Sequence, residues 1–190
     1  MRRVLIVALA IWADCLSADL WADYSLGLDA YKRGDYATAM QEWRGLAEKG
    51  DVQAQASLGW LYLNGLGVAR DYAQARLFFE RAAAQGQAAA QYNLAQLYHN
   101  GQGGPEDFAQ ACLWYEKAAL EGNVDAQVNL GTLYYNGRGC REDFHQALFW
   151  FISAAKQGNA LAFTKLGMMY EHGRGVIPEL SGSLQMVLLG

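Results

Sequence analysis

A chain of 190 residues with 53% apolar content is of a size for one domain and too apolar to be generally disordered. Its formal charge of −4, without any cluster of Lys and Arg, argues against a nucleic-acid partner, because phosphate binding needs concentrated cations. Pro is scarce, at 2, while the 21 Gly recur at fixed intervals, the first sign of an internal repeat.

The N-terminus has the order of an export signal. Met1-Arg2-Arg3 is a short basic stretch, Val4 to Trp12 is uninterruptedly apolar, and small or polar residues follow to Leu16-Ser17-Ala18. The apolar run is too short to span a bilayer, which takes roughly 20 residues. Cleavage after Ala18 is expected, with 1–18 removed, Asp19 first and the mature chain periplasmic or secreted. Lipid attachment at Cys15 is the alternative, and Trp12-Ala13-Asp14 is a poor lead-in for it. Nothing downstream is long enough for a membrane anchor, so no membrane span is expected after cleavage.

Residues 19–50 form an atypical first unit. Leu26-Gly27 matches the later Leu58-Gly59, the turn shortens to Arg33-Gly34-Asp35-Tyr36, and Ala39 and Trp43 take the places of Ala75 and Phe79. Units 51–86, 87–122 and 123–158 then align without a gap at a period of 36 residues, and 159–190 keeps the pattern for half its length. Ala54, Ala90, Ala126 and Ala162 are in register, as are Leu58, Leu94, Leu130 and Leu166, and Tyr62, Tyr98, Tyr134 and Tyr170.

Each unit is predicted to be two antiparallel helices. Ala54, Leu58, Leu61 and Tyr62 make one face of a 3.6-residue helix, which the Gly65-Leu66-Gly67 turn ends. Asp71, Asp107 and Asp143, followed three residues on by Gln74, Gln110 and Gln146, predict a capping box at the second helix. Ala75, Phe78, Phe79 and Ala82 continue the apolar face, and Gly86, Gly122 and Gly158 end it.

The opposite face of the first helix is expected to be wet. Gln53, Ala56, Trp60 and Leu63 lie on it, and in later units Tyr92, His99, Thr132, Tyr135 and Met168, with Tyr31 in the first. Aromatics on a wet face are partner anchors or else pack on the adjoining helix, and both alternatives stay open.

Candidate chemistry is thin. Ser153-Ala154-Ala155-Lys156 matches a Ser-x-x-Lys motif, yet it ends a repeat helix and lacks the accompanying Ser-Asp-Asn or Lys-Thr-Gly. The Gly-x-Gly turns lack the Lys-Ser/Thr of a phosphate loop. The Asp of Glu106-Asp107 and Glu142-Asp143 is committed to capping. His99, His145 and His172 share no i, i+4 face, so no metal or cofactor is expected. Cys112 and Cys140 are 28 apart at non-equivalent repeat positions; after export they can pair or remain separate half-buried thiols.

The string Ala…Leu-Gly-x-x-Tyr…Gly-x-Gly…Asp…Ala…aromatic…Ala-Ala…Gly at this period resembles the Sel-one-like repeat family, relatives of tetratricopeptide repeats, strongly over 51–158. The resemblance implies an all-α fold, a right-handed solenoid of antiparallel helix pairs with about nine helices. It also implies that the wet face lines an inner groove holding a protein or peptide, and that the chain is an adaptor or regulator, not an enzyme. Exported members resembling it include regulators of a sensor kinase and proteins exposed to host cells. Cysteine-rich relatives classed as β-lactamase-like leave a cell-wall-directed enzyme as an alternative, beside a glycan-binding module. Their Cys pair in each repeat is missing here, so their disulfide staple does not carry over. Finally, 179–190 is expected to be a weak, apolar terminal helix that offers a self-association edge, because Gly182 and Ser183 replace better residues and no cap follows.

Overall fold

Seven helices of the computed structural model, which describes residues 24–175, start just after a capping Asp or Asn. Nine helices are present among the described residues: α1 (24–32), α2 (Tyr36–Glu48), α3 (Val52–Asn64), α4 (Tyr72–Ala84), α5 (Ala88–His99), α6 (Phe108–Leu120), α7 (Val124–Asn136), α8 (Phe144–Lys156) and α9 (Ala160–Glu171). No strand occurs among these residues. Residues 1–18, where an export signal is expected, with Cys15 among them, and the terminal stretch 179–190 lie outside them.

Asp51, Asn123 and Asn159 cap α3, α7 and α9 by accepting the N–H of Ala54, Ala126 and Ala162 at 2.7, 2.8 and 3.0 Å. Asp71, Asp107 and Asp143 cap α4, α6 and α8, each accepting the N–H three residues on at 3.0 Å. Only the carboxylate half of the expected capping box forms. The Asp backbone N–H that the Gln amide would have met is already donated across the hairpin, to Tyr62, Tyr98 and Tyr134 carbonyls at 3.0, 2.9 and 3.0 Å. That bond ties the start of each second helix to the end of the first.

The chain falls into two compact units that divide after Gln87. In the first, α2 packs on α3 and α3 on α4; in the second, α5–α6, α6–α7, α7–α8 and α8–α9 are the packed pairs. The first core gathers Ala39, Trp43, Leu46, Leu58 and Leu61; part of the second gathers Ala147, Phe151, Ala154, Leu166 and Met169. Aromatics of the second helices press against glycines of the first: Trp43 on Gly27, Phe79 on Gly59 and Phe151 on Gly131, each so close that a Cβ would collide with the ring.

Polar stitches, which the sequence periodicity does not reveal, run through the interior. Gln55 and Gln127 are buried in register. Gln55 donates to the Ala47 carbonyl at 3.1 Å and accepts from the Gln85 amide at 2.8 Å. Gln127 repeats this with Ala119 at 3.1 Å and Gln157 at 2.9 Å. Each glutamine therefore joins three helices through groups that would be costly to bury unbonded.

Cys112 and Cys140 are joined in a disulfide, with their Cα atoms 6.2 Å apart. Non-equivalent positions meet because the turn of one repeat sits on the start of the preceding second helix. Gly139, at φ 75°, lies so close to Phe108 that a Cβ would run into its carbonyl. Gly67 sits on Tyr36 and Gly175 on Phe144 in the same way. The residue after Gly139 is thereby delivered to α6 one turn beyond Phe108.

Candidate functional site

The residues expected on the wet face sort into two rows once their partners are seen. Within residues 24–87, Tyr31 is half-buried, its ring edge-on to Tyr36 at 5.3 Å and tilted against Trp43 at 5.9 Å. Trp60 is 41% exposed and donates its indole N–H to the Tyr31 hydroxyl at 3.2 Å. Leu63 is half-buried.

Within residues 88–175, Tyr92 is half-buried, 6.0 Å from the Tyr115 ring, and its hydroxyl accepts from Gln96 at 2.7 Å. Burial pushes its phenol up, with Asp125 adding to the effect. His99 is not at the surface, as its sequence position suggested, but half-buried between Phe108 at 5.1 Å and Tyr115 at 6.1 Å. Burial holds its imidazole below the usual range, and the nearby Arg138 lowers it further. Tyr135 stands edge-on to Phe144 at 5.5 Å. So Tyr31, His99 and Tyr135 share one arrangement, each packed on the first aromatic residue of the following helix.

Turn cations cover two of these aromatic pairs. Arg138 lies 3.8 Å over the Phe108 ring and pairs with Glu106 at 3.6 Å. Arg174 lies 5.1 Å from the Tyr135 ring centre and 5.2 Å from that of Phe144, and donates to the Tyr135 hydroxyl at 2.9 Å. Both occupy the middle of a Gly-x-Gly turn, so one register places both guanidinium groups. The sequence signal was present in Gly137-Arg138-Gly139 and Gly173-Arg174-Gly175, and turn geometry alone does not give it a role.

The second row is more open. Met168 is 41% exposed, and Thr132 is half-buried with its hydroxyl donating to the Val128 carbonyl at 2.8 Å. Thr132, Tyr135 and Met168 come together around a pocket of about 130 Å³, completed by Asn136, Phe151 and Lys165. Sequence reasoning missed the last three, because Asn136 ends α7, Phe151 is buried in α8 and Lys165 lies on α9, and only packing brings them together.

The Ser-x-x-Lys match has no supporting geometry. The Ser153 hydroxyl donates to the Phe149 carbonyl at 2.9 Å within α8, and Lys156 is exposed at that helix's last turn. Among the described residues no group of His, Cys, Asp and Glu is arranged to hold a metal ion, and no helix is long and apolar enough to cross a membrane.

A model of the Sel1 repeat matches residues 52–87, 88–123, 124–159 and 161–181. A comparison with curated proteins finds no match. Among solved structures, the chain is similar to c5321, a protective antigen present in uropathogenic Escherichia coli strains and displaying an SLR fold. The TM-score is 0.78 and the identity 36%, over 88% of this chain and 37% of that one. It is also similar to a Sel1 repeat protein from Oxalobacter formigenes, with TM-score 0.75 and 34% identity, over 80% of this chain and 62% of that one. The chain thus spans less than two thirds of either. Helicobacter pylori cysteine rich protein B, at 20% identity and TM-score 0.51 over 66% of this chain and 95% of its own, shares the fold alone. The solenoid fold class expected from the repeats therefore stands, and with helix pairs, turn glycines and repeat model coinciding along the chain, this protein belongs to the Sel1 repeat family.

Proposed function

We propose that this chain is an exported adaptor or regulator that holds a partner protein or peptide on the face of residues 88–175 bearing Thr132, Tyr135 and Met168, with Trp60, exposed within residues 24–87, as a separate contact. The observation that carries this is an open pocket with an apolar floor among Thr132, Tyr135 and Met168, beside a Met168 left 41% exposed. Large side chains held half in solvent by well-packed helices are the kind that supply most of the energy of a protein contact. Rigid repeats suit the role, since the face is set before the partner arrives and little ordering entropy is spent on binding.

Export is part of the same reading and rests on the basic, apolar, small-residue order of 1–18. Mass analysis of the expressed protein should find Asp19 as the first residue in a periplasmic or culture fraction. An intact Met1 on protein retained in the cytoplasm would count against it. The binding role is tested by capture from such a fraction with the tagged chain, repeated with Trp60→Ala and Met168→Ala. A protein recovered by the parent and lost with either variant, and then bound directly when purified, supports the proposal. Equal recovery by all three rejects the assignment of this face.

A further inference from the structure

We infer that the pocket among Thr132, Tyr135, Phe151, Lys165 and Met168 takes an acidic protein segment, seating one apolar side chain while an adjacent carboxylate of that segment pairs with Lys165. The inference rests on the binding face proposed above and names the chemistry of its occupant. A volume of about 130 Å³ has room for one side chain, not for a ring system with substituents. Its floor is the buried Phe151 and one wall is the exposed thioether of Met168, so that side chain is apolar.

The polar rim is mixed but carries a charged donor. Thr132 has given its hydroxyl hydrogen to Val128, so its oxygen can only accept from an occupant. The Tyr135 oxygen accepts from Arg174, which leaves the Tyr135 O–H to donate outward. Lys165 offers only donors, and Asn136 contributes an amide. Among the side chains of a protein segment, the group that answers a charged donor is the Asp or Glu carboxylate.

Charge complementarity points the same way. The chain is acidic overall, yet among the described residues neither Lys165 nor Arg174 has a carboxylate within 4.0 Å. The equivalent turn cation Arg138 does, in Glu106. Glu171, exposed one turn beyond Met168, pairs with neither. Asp125, on α7, lies seven residues before Thr132, about 10 Å along the helix. Lys165, a lining cation without a carboxylate partner, and Arg174, bonded to the hydroxyl of the lining Tyr135, are a positive surplus in an acidic molecule that an acidic segment completes.

The test uses the full chain and three fluorescein-labelled octapeptides, in which leucine alternates with glutamate, glutamine or lysine. Fluorescence anisotropy should show the glutamate peptide binding about tenfold more tightly than the glutamine one, with the preference shrinking as salt is raised. Lys165→Glu should abolish the preference and favour the lysine peptide, while Lys165→Arg should retain it. Circular dichroism confirms that each variant is folded. Met168→Ala should weaken all binding. Equal affinity for glutamate and glutamine peptides, both lost in Met168→Ala, overturns the acidic partner and leaves the binding face standing. No binding of the glutamate peptide, or its full retention in folded Lys165→Glu, also overturns the inference; the face itself is then judged by the capture experiment.

Discussion

Trp60 and Tyr92 occupy the same helix face in sequence terms but are held differently. Trp60 stands 41% exposed with one hydrogen bond, to Tyr31, whereas Tyr92 rests on Tyr115 and is bonded to Gln96. Trp60→Ala should therefore cost less than about 1 kcal/mol of folding stability and about 2 kcal/mol of partner binding, read by thermal melting and by titration with the captured protein. A second expectation concerns His99, whose folded pKa is lowered from 6.5, chiefly by burial and then by Arg138. The unfolded imidazole binds a proton that the folded one resists, so this contribution to stability is intact above 6.5 and declines as pH falls through it. Urea melts at descending pH should show a steeper loss for the parent than for His99→Phe. Parallel curves would mean that other groups set the acid dependence.

At the scale of the element, turns and stitches decide how helices meet. Gly139 sits at φ 75° with the Phe108 carbonyl where a Cβ would go, whereas Gly86, at φ 89°, has open space around it. Gly86→Ala should cost about 1 kcal/mol, the strain of the backbone conformation alone. Gly139→Ala should cost several-fold more, because α6 must shift, and denaturant titration of the two variants checks the ratio. Gln127→Leu probes the buried stitch. It removes the Gln157 amide's partner and one of the donors to the Ala119 carbonyl, which keeps the Gly122 N–H, so a loss of about 1 kcal/mol is expected in equilibrium unfolding. Adding Gln157→Leu should recover part of that loss, since both polar ends of one bond are then gone.

For the molecule as a whole, the disulfide matters most to the unit that contains it. It closes a loop with a sequence separation of 28 between α6 and the turn after α7. Chain-entropy arguments give such a loop about 3–4 kcal/mol. Reduction, or Cys140→Ser, should lower the melting temperature and reduce hydrogen-exchange protection first in α6 and α7, with α2 and α3 affected least, as nearest-neighbour coupling in repeat proteins requires. Uniform loss of protection would indicate that the described residues melt as one cooperative body.

What the sequence by itself determined was everything local and periodic. Helix starts follow from Asp71, Asp107 and Asp143, because a cap needs only the side chain and the next three residues. Helix ends follow from Gly65 and Gly137, whose left-handed backbone suits no other residue as well. Core positions such as Leu58, Leu94 and Leu130 follow from the 3.6-residue period. Contacts between repeats were different, because they depend on how far one hairpin is offset from the next, and that offset is written in no single segment. Tertiary structure alone decided that Cys140 reaches Cys112, that Gln55 is an interior stitch, and that Asp71 spends its N–H on Tyr62 and not on Gln74. It also divided the wet face, packing Tyr31, His99 and Tyr135 on neighbouring rings while Met168 and Thr132 flank an opening toward Lys165. Periodicity tells which side of a helix a residue is on; only the packed neighbours tell whether anything already covers it.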